Sequence, residues 1–443
     1  MTLRILLVID YKLEYMGGAQ TAFLQQARAL AAAGHTVTIA SPDACSQLAL
    51  AAAGVTCWDS PVTFLIPGAN LPIVRNTART QAVLNQRMAE WQTDLVITHS
   101  EFGLAAAALK VAAKRGTPSM HVVHTFFWRG PRIAALAAPL VTAVHGWATG
   151  LAPTRRRLAP RRLDSALRGM TLSVAQAADL VISPSHHQAS ALRAAGLQNV
   201  TVISNTSEHL HSRPLISSST GPLRLVWAAR FAPEKRLDIA LSAMAIVEGL
   251  LGDGVVQLDV AGGRASGAVP ASVIFHGRVS SAGVTQLLNS AHAAVITSNG
   301  FDNQPMIAIE AFKAGRPVIV SDPTLATEFG IAAIAASDTT AEGLARTIIR
   351  LARDRDRLRA PAAGANRFSA QASAQQHARN IRQALLRIDP VSTSSEKFAE
   401  PSTSLDRTQP VEHRQGNLTP IAIAPKHGDQ MSAKVPTSSL SSV

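Results

Sequence analysis

Apolar and polar positions repeat in one recurring unit along the first half of the chain. Residues 4–10 (RILLVID) form a short apolar run. A glycine-bearing loop (LEYMGGAQ) follows, and then a segment from Thr21 to Ala33 with helical periodicity that stops at Gly34. Residues 35–41, 95–100, 119–125 and 180–185 repeat the strand pattern, with helical segments at Ala105–Arg115 and His187–Ala195 between them. Apolar strands alternating with helices predict a parallel sheet covered on both faces. Residues 204–221 turn polar, serine-rich and aperiodic, which reads as a linker, set at 211–222. A second series follows, with strands at 223–230, 256–262, 272–277, 293–298 and 317–322 and helices at Leu237–Leu250, Val284–Ala291 and Ile307–Ala314. The expected fold class is therefore α/β with two Rossmann-like domains, 1–210 and 223–369. The segment 390–443, rich in Ser, Thr, Pro and Gln, is expected to be disordered, because it cannot bury enough apolar surface to offset chain entropy.

Composition agrees with this division. A chain of 443 residues exceeds one ordinary core, and its 47% hydrophobic content supports packed interiors. The two cysteines, Cys45 and Cys57, provide neither a disulfide framework nor a cysteine metal cluster, and the first residues read as a strand instead of a signal peptide. A reducing, cytoplasmic location is expected. The longest apolar stretch, 133–153, is broken by Pro139, His145 and Gly146, so a buried or surface-lying helix is favoured over a membrane span.

The net charge of +13 is unevenly placed. Residues 129–168 hold eight arginines and one acid, Asp164, and no Asp or Glu occurs from Phe102 to Leu163. Such a patch suits an anionic partner: an anionic or lipid-linked acceptor, or the inner face of a membrane contacted peripherally. Nucleic acid is disfavoured, since aromatics make up only 4% of the chain and no reader motif accompanies the patch.

Ligands in open α/β sheets bind beyond the carboxyl ends of strands. Four loops there carry chemistry. Arg230 and Lys235 (RFAPEK) precede a helix, where a guanidinium and an ammonium can clamp a diphosphate and neutralise charge on a departing nucleotide. In the loop 300–310 (GFDNQPMIAIE), Asp302 and Glu310 are separated by seven residues. Asn303, Gln304, Pro305 and Met306 lie at the helix start, and a carboxylate can accept from two ribose hydroxyls. Gly17 and Gly18 allow close backbone approach to a phosphate or sugar, without a GxGxxG or P-loop pattern. His124, at a strand end, can hydrogen-bond a sugar or orient an acceptor hydroxyl, whereas His121 reads as structural and the pair is poor evidence for metal.

Taken in order, these segments resemble the retaining, nucleotide-sugar-dependent glycosyltransferases of family 4, whose fold is GT-B. The similarity covers about 1–388: GGAQ (17–20), His124, ADLVISPS (178–185), VISN (202–205), ARFAPEKRLDIAL (229–241) and DNQPMIAIEAFKAGRPVIVSD (302–322). The resemblance implies that Arg230 and Lys235 hold the donor diphosphate and Glu310 the ribose. It places Gly263 and Val279 around the nucleobase, Gln304–Met306 near sugar and phosphate, and His124 near the transferred sugar. It further implies that a final helix, 370–389, crosses back to the first domain, and that the donor substrate is a nucleotide-diphosphate sugar, with no metal or cofactor. His124, Arg230, Lys235 and Asp302 are then the candidate catalytic residues. Two departures stand out: Asp302 replaces the family's usual Glu, shortening reach by about 1.5 Å, and Arg236 follows Lys235 where glycine is common. Two other readings stay open. One is a sugar-nucleotide epimerase, for which the first domain offers Asp10, Glu14 and Glu101. The other is a transferase-like binding module with impaired catalysis, motivated by Asp302 and the arginine patch.

Overall fold

A computed structural model of the chain describes residues 2–14, 17–47, 50, 53–66, 71–154, 156–207, 221–264, 267 and 269–388. The expected linker at 211–222, apart from Gly221 and Pro222, and the tail at 390–443 lie outside the described residues, as does Arg155.

The first domain is built on a seven-stranded parallel sheet in the order β3-β2-β1-β6-β7-β8-β9. Its strands are β1 (Arg4–Val8), β2 (Thr36–Ser41), β3 (Val55–Asp59), β6 (Leu95–Thr98), β7 (Ser119–Val122), β8 (Leu180–Ser183) and β9 (Val200–Val202). A two-stranded antiparallel ribbon, β4 (Phe64–Ile66) with β5 (Leu71–Ile73), stands apart from it. The apolar runs are continuous because both sheet faces are covered. Ile5, Leu7, Ile39 and Ile97 pack with Phe23 and Leu30 of the helix Gly18–Ala32. Leu6, Val8 and Val96 pack with Leu84, Met88 and Leu104 of the helices Ala78–Glu90 and Gly103–Arg115.

The second domain repeats the plan with six parallel strands in the order β12-β11-β10-β13-β14-β15. These are β10 (Leu223–Ala228), β11 (Val256–Ala261), β12 (Val273–Phe275), β13 (Ala293–Ile296), β14 (Val318–Val320) and β15 (Ala333–Ala335). Leu225, Trp227 and Val260 face the helices Leu237–Leu251 and Ala341–Arg353. Val226, Ile296 and Val318 face the helix Met306–Lys313 through Ile309 and Phe312. The last described helix, Ala374–Leu385, returns to the first domain: its Ala378, Ile381 and Ala384 share the cluster of Ile5 and Leu30.

Most strands end two or three residues before the apolar run does, because the chain leaves the sheet there to form the loops of the site. His124 thus lies past the end of β7 at Val122. The stretch 133–153 resolves into a 3-10 turn, Arg132–Ala137, and a helix, Ala138–Thr149, stopped by Gly150 in the left-handed region. No described helix is long and apolar enough to cross a membrane.

Candidate active site

The loops after β1 and β7 approach those after β10 and β13. A Cβ at Gly17 would lie 3.9 Å from Nε of Arg230, so the first domain's glycine turn and the second domain's arginine face each other. Gly17 is the extended N-cap of the helix Gly18–Ala32 and offers no side-chain cap. That helix therefore presents its first N–H groups and the positive end of its dipole to this space. Around Gly18 a Cβ would meet nothing within 4 Å.

Arg230 follows β10 with an exposed side chain, its NH2 3.8 Å from Glu234 Oε1 one helical turn on. An exposed pair at that distance holds the guanidinium weakly and leaves it able to meet an anion. Lys235 behaves differently. Its ammonium is 2.5 Å from Asp302 Oδ1, with both side chains mostly buried, and stands 5.7 Å from the Phe301 ring centroid. Its backbone is fixed by Thr297 Oγ1 donating to the Lys235 carbonyl (2.7 Å), itself met by Trp227 Nε1 (2.9 Å). Arg236 sits at φ +51°, a left-handed conformation that explains why glycine is common there. Its guanidinium donates to the Thr339 carbonyl.

Asn303 and Gln304 are buried, and their side chains join the domains. Asn303 Oδ1 accepts from Ser185 Oγ, and its Nδ2 approaches the carbonyls of Val123 and His124 at 3.4 and 3.5 Å. Gln304 Oε1 accepts from the Asn205 N–H at 2.8 Å. Pro305 and Met306 begin the helix that carries Glu310. Glu310 has no ion-pair partner among the described residues, and burial pushes its carboxyl up to about 7. A half-buried carboxylate of this kind is costly unless a ligand satisfies it.

Gly262, at φ +132°, would place a Cβ 1.8 Å from the Ala229 carbonyl oxygen, and a Cβ on Gly263 would lie 2.7 Å from the Phe231 ring. Gly263 bridges to Gly277, so its loop lies beside the one carrying Val279. Phe231, 39% exposed, stands edge-on to Trp227 and Phe275. Sequence reasoning passed over it, although an aromatic directly after Arg230 was the available signal.

His124 is held by His99, its Nε2 2.8 Å from His99 Nδ1. Burial lowers it to about 4, so the ring is neutral near pH 7. His121 is fully buried with Nδ1 on Thr98 Oγ1 at 2.8 Å. Among the carboxylates open to an epimerase, Asp10 is committed to the start of the helix Gly103–Arg115, accepting from Leu104 N and Ala105 N at 2.7 and 3.1 Å. Glu101 is buried, pushed up to about 7 by that burial, and accepts from the Tyr11 hydroxyl at 3.0 Å.

Residues 16–206 match the model described as Glycosyltransferase Family 4, and residues 222–354 match that described as Glycosyl transferases group 1. No curated protein matches the sequence. Among solved structures, Anabaena HepE in complex with UDP has a TM-score of 0.62 at 17% identity, covering 87% of this chain and 100% of that one. Sucrose-phosphate synthase of Thermosynechococcus elongatus gives 0.60 at 17%, covering 86% and 97%. A mutant of S. aureus TarM crystallised with UDP gives 0.61 at 10%, covering 86% and 99%. At these identities the likeness is one of fold, and it agrees with the two domain matches. The two matches lie side by side over most of the chain and both describe glycosyltransferases, so the chain is a glycosyltransferase of the family 4 and group 1 type, built on the GT-B fold.

Proposed function

We propose that the chain is a retaining transferase whose donor lies between Gly17 and Arg230. The observation that carries this reading is their juxtaposition: an uncapped helix N-terminus faces a loosely held guanidinium, and the ion-paired Lys235 and Asp302 lie in the loops that follow β10 and β13. Arg230 and Lys235 hold the diphosphate, assisted by backbone groups at Gly17 and Gly18. Glu310 accepts from the ribose hydroxyls, Phe231, Gly263 and Val279 border the base, and Asn303, Gln304, Pro305 and Met306 shape the wall beside the sugar. His124 contacts the sugar itself. In the transfer the C1–O bond to the diphosphate breaks and its electron pair leaves with the nucleotide. The acceptor oxygen bonds to C1 on the same face, and the acceptor proton passes to the leaving diphosphate. The cations lower the barrier by stabilising that developing charge, so the reaction as read here routes no step through a metal or cofactor. HepE and TarM were crystallised with UDP, which makes UDP-glucose the first donor to try. Proton NMR of the product, with an acceptor panel, tests the reading. Retention of the donor's anomeric configuration supports it, and inversion, or donor epimerisation without acceptor, refutes it.

The acceptor is read as lipid-linked or otherwise anionic, reached at the inner face of a membrane. The helix Ala138–Thr149 supports this. Its inner side holds buried Ala138, His145 and Ala148, while Leu140, Val144 and Trp147 are exposed on the other, and Leu136 in the preceding 3-10 turn is 94% exposed. The helix itself contains no Asp, Glu, Lys or Arg. Arg75 lies 4.0 Å from the Trp147 ring centroid at one end, and Arg161 binds the Gly130 carbonyl at the other.

A further inference from the structure

His124 ends a hydrogen-bonded chain that begins on the helix Ala374–Leu385. His377 Nδ1 lies 3.0 Å from the Ser204 carbonyl, and His377 Nε2 lies 2.8 Å from Gln26 Nε2. Gln26 Oε1 lies 2.7 Å from His99 Nε2, and His99 Nδ1 lies 2.8 Å from His124 Nε2. Gln26, His99 and His377 are each at least 95% buried, so water does not substitute for these contacts.

One end of this chain settles its direction. A backbone carbonyl only accepts, so His377 carries its proton on Nδ1 and Nε2 is a lone pair. Gln26 must then turn its amide N–H to His377 and its oxygen to His99. His99 donates from Nε2 and accepts at Nδ1, and His124 must donate from Nε2. Reversing any one residue sets two acceptors or two donors against each other in a dry interior. His124 Nδ1, which makes no hydrogen bond to any described residue, is left as an acceptor.

We infer that Gln26, His99 and His377 are positioning residues that fix the tautomer of His124, so that its Nδ1 receives a hydrogen bond from a hydroxyl or N–H of the donor sugar. The same polarity rejects a carboxylate at that place, since two acceptors would meet. The crossing helix is thereby tied to the site: the Ser204 that anchors the chain also bonds Gln304, its Oγ 3.0 Å from Gln304 Nε2. The assignment of tautomers stands on geometry alone, and only its contact with the sugar rests on the reading of His124 above.

Full-length protein labelled with nitrogen-15 at histidine tests this by long-range proton–nitrogen spectra near neutral pH, with signals assigned from single His→Gln substitutions. The expected spectrum shows His377 protonated on Nδ1, and His99 and His124 on Nε2. Gln26→Leu should shift His124 toward the average of both tautomers while His121 and His145 stay in place, reporting an intact fold. Gln26→Glu keeps an acceptor against His99, so His99 and His124 should match the unsubstituted protein while His377 gains a second proton. A His124 that carries its proton on Nδ1 in the unsubstituted protein, or that is unmoved by Gln26→Leu, overturns the inference, and the unsubstituted spectrum decides the polarity even where a variant fails to fold. UDP-glucose added to the same sample should move the His124 Nδ1 signal most. If the tautomers are as stated but that signal does not move, the donor-sugar contact is wrong and the chain is not.

Discussion

The Lys235 ammonium and the Asp302 carboxylate form a mostly buried ion pair across 67 positions of sequence, at 2.5 Å. The second Asp302 oxygen is buried without a partner among the described residues. Lys235 is therefore neutralised before any donor arrives, and a diphosphate must compete with Asp302 for it. Asp302→Asn removes the competitor while nearly preserving shape. It should tighten binding of the matching nucleoside diphosphate by about tenfold or more by calorimetry, since a charged hydrogen bond contributes about 1.5–3 kcal/mol. Weaker binding would show that Asp302 helps to hold the ligand.

Glu310 supplies a pH dependence. Burial raises its carboxyl to about 7, so the folded protein prefers it protonated, and ionising it costs stability as pH rises through about 7. Accepting from a ribose diol favours the carboxylate. Nucleotide affinity should therefore climb between about pH 6 and pH 8, and Glu310→Gln should flatten that slope while raising the thermal midpoint of the ligand-free protein above pH 7. A parallel slope in both proteins would remove Glu310 from ribose binding.

Glu328 clasps the domains. Burial opposes its charge, yet hydrogen bonds from the His186 and His187 rings and N–H groups, at 2.8 to 3.2 Å, hold its carboxyl down at about 2. A depressed carboxylate stabilises the fold above its unfolded value of about 4.3 and loses that contribution as pH falls toward 2. Glu328→Gln should thus lower the unfolding free energy at neutral pH by about 1–3 kcal/mol, read from denaturant titration, and the difference from the unsubstituted protein should shrink below about pH 4. A difference that persists at low pH would assign the loss to shape instead of charge.

The apolar helix face gives a prediction on vesicles. The protein should co-sediment with phosphatidylcholine vesicles containing about a third phosphatidylglycerol, and binding should fall with salt and with phosphatidylglycerol removed. Leu136→Asp with Leu140→Asp should abolish it while leaving nucleotide binding intact. Binding indifferent to lipid charge and salt, or unaffected by both substitutions, would sink the membrane reading.

What could be read from the residues alone was local. Both sheets are parallel and covered on both faces, so strands such as β1, β6 and β13 appear as unbroken apolar runs, and the loops that follow them bring Arg230, Lys235 and Glu310 to notice. Short strands such as β9 and β15, three residues each, carry too little pattern to register. The helix Arg162–Ala177 was hidden by reading its first turn as part of a charged patch. The chain from His377 to His124 joins Gln26 and His377 across 351 positions, and no spacing rule reaches that far. Lys235 was legible as a cation at a helix start, but its commitment to Asp302 depends on how the two loops fold together.

In the proposed function, Arg230 anchors a nucleoside diphosphate opposite Gly17. Calorimetric titration of the full chain with UDP, GDP and ADP, repeated with Arg230→Ala, tests it most directly. One of the three should bind, and Arg230→Ala should weaken that binding about ten- to a hundredfold, as expected for losing a charge-assisted contact of 1.5–3 kcal/mol. Binding of none of them, or equal affinity in the variant, would contradict it.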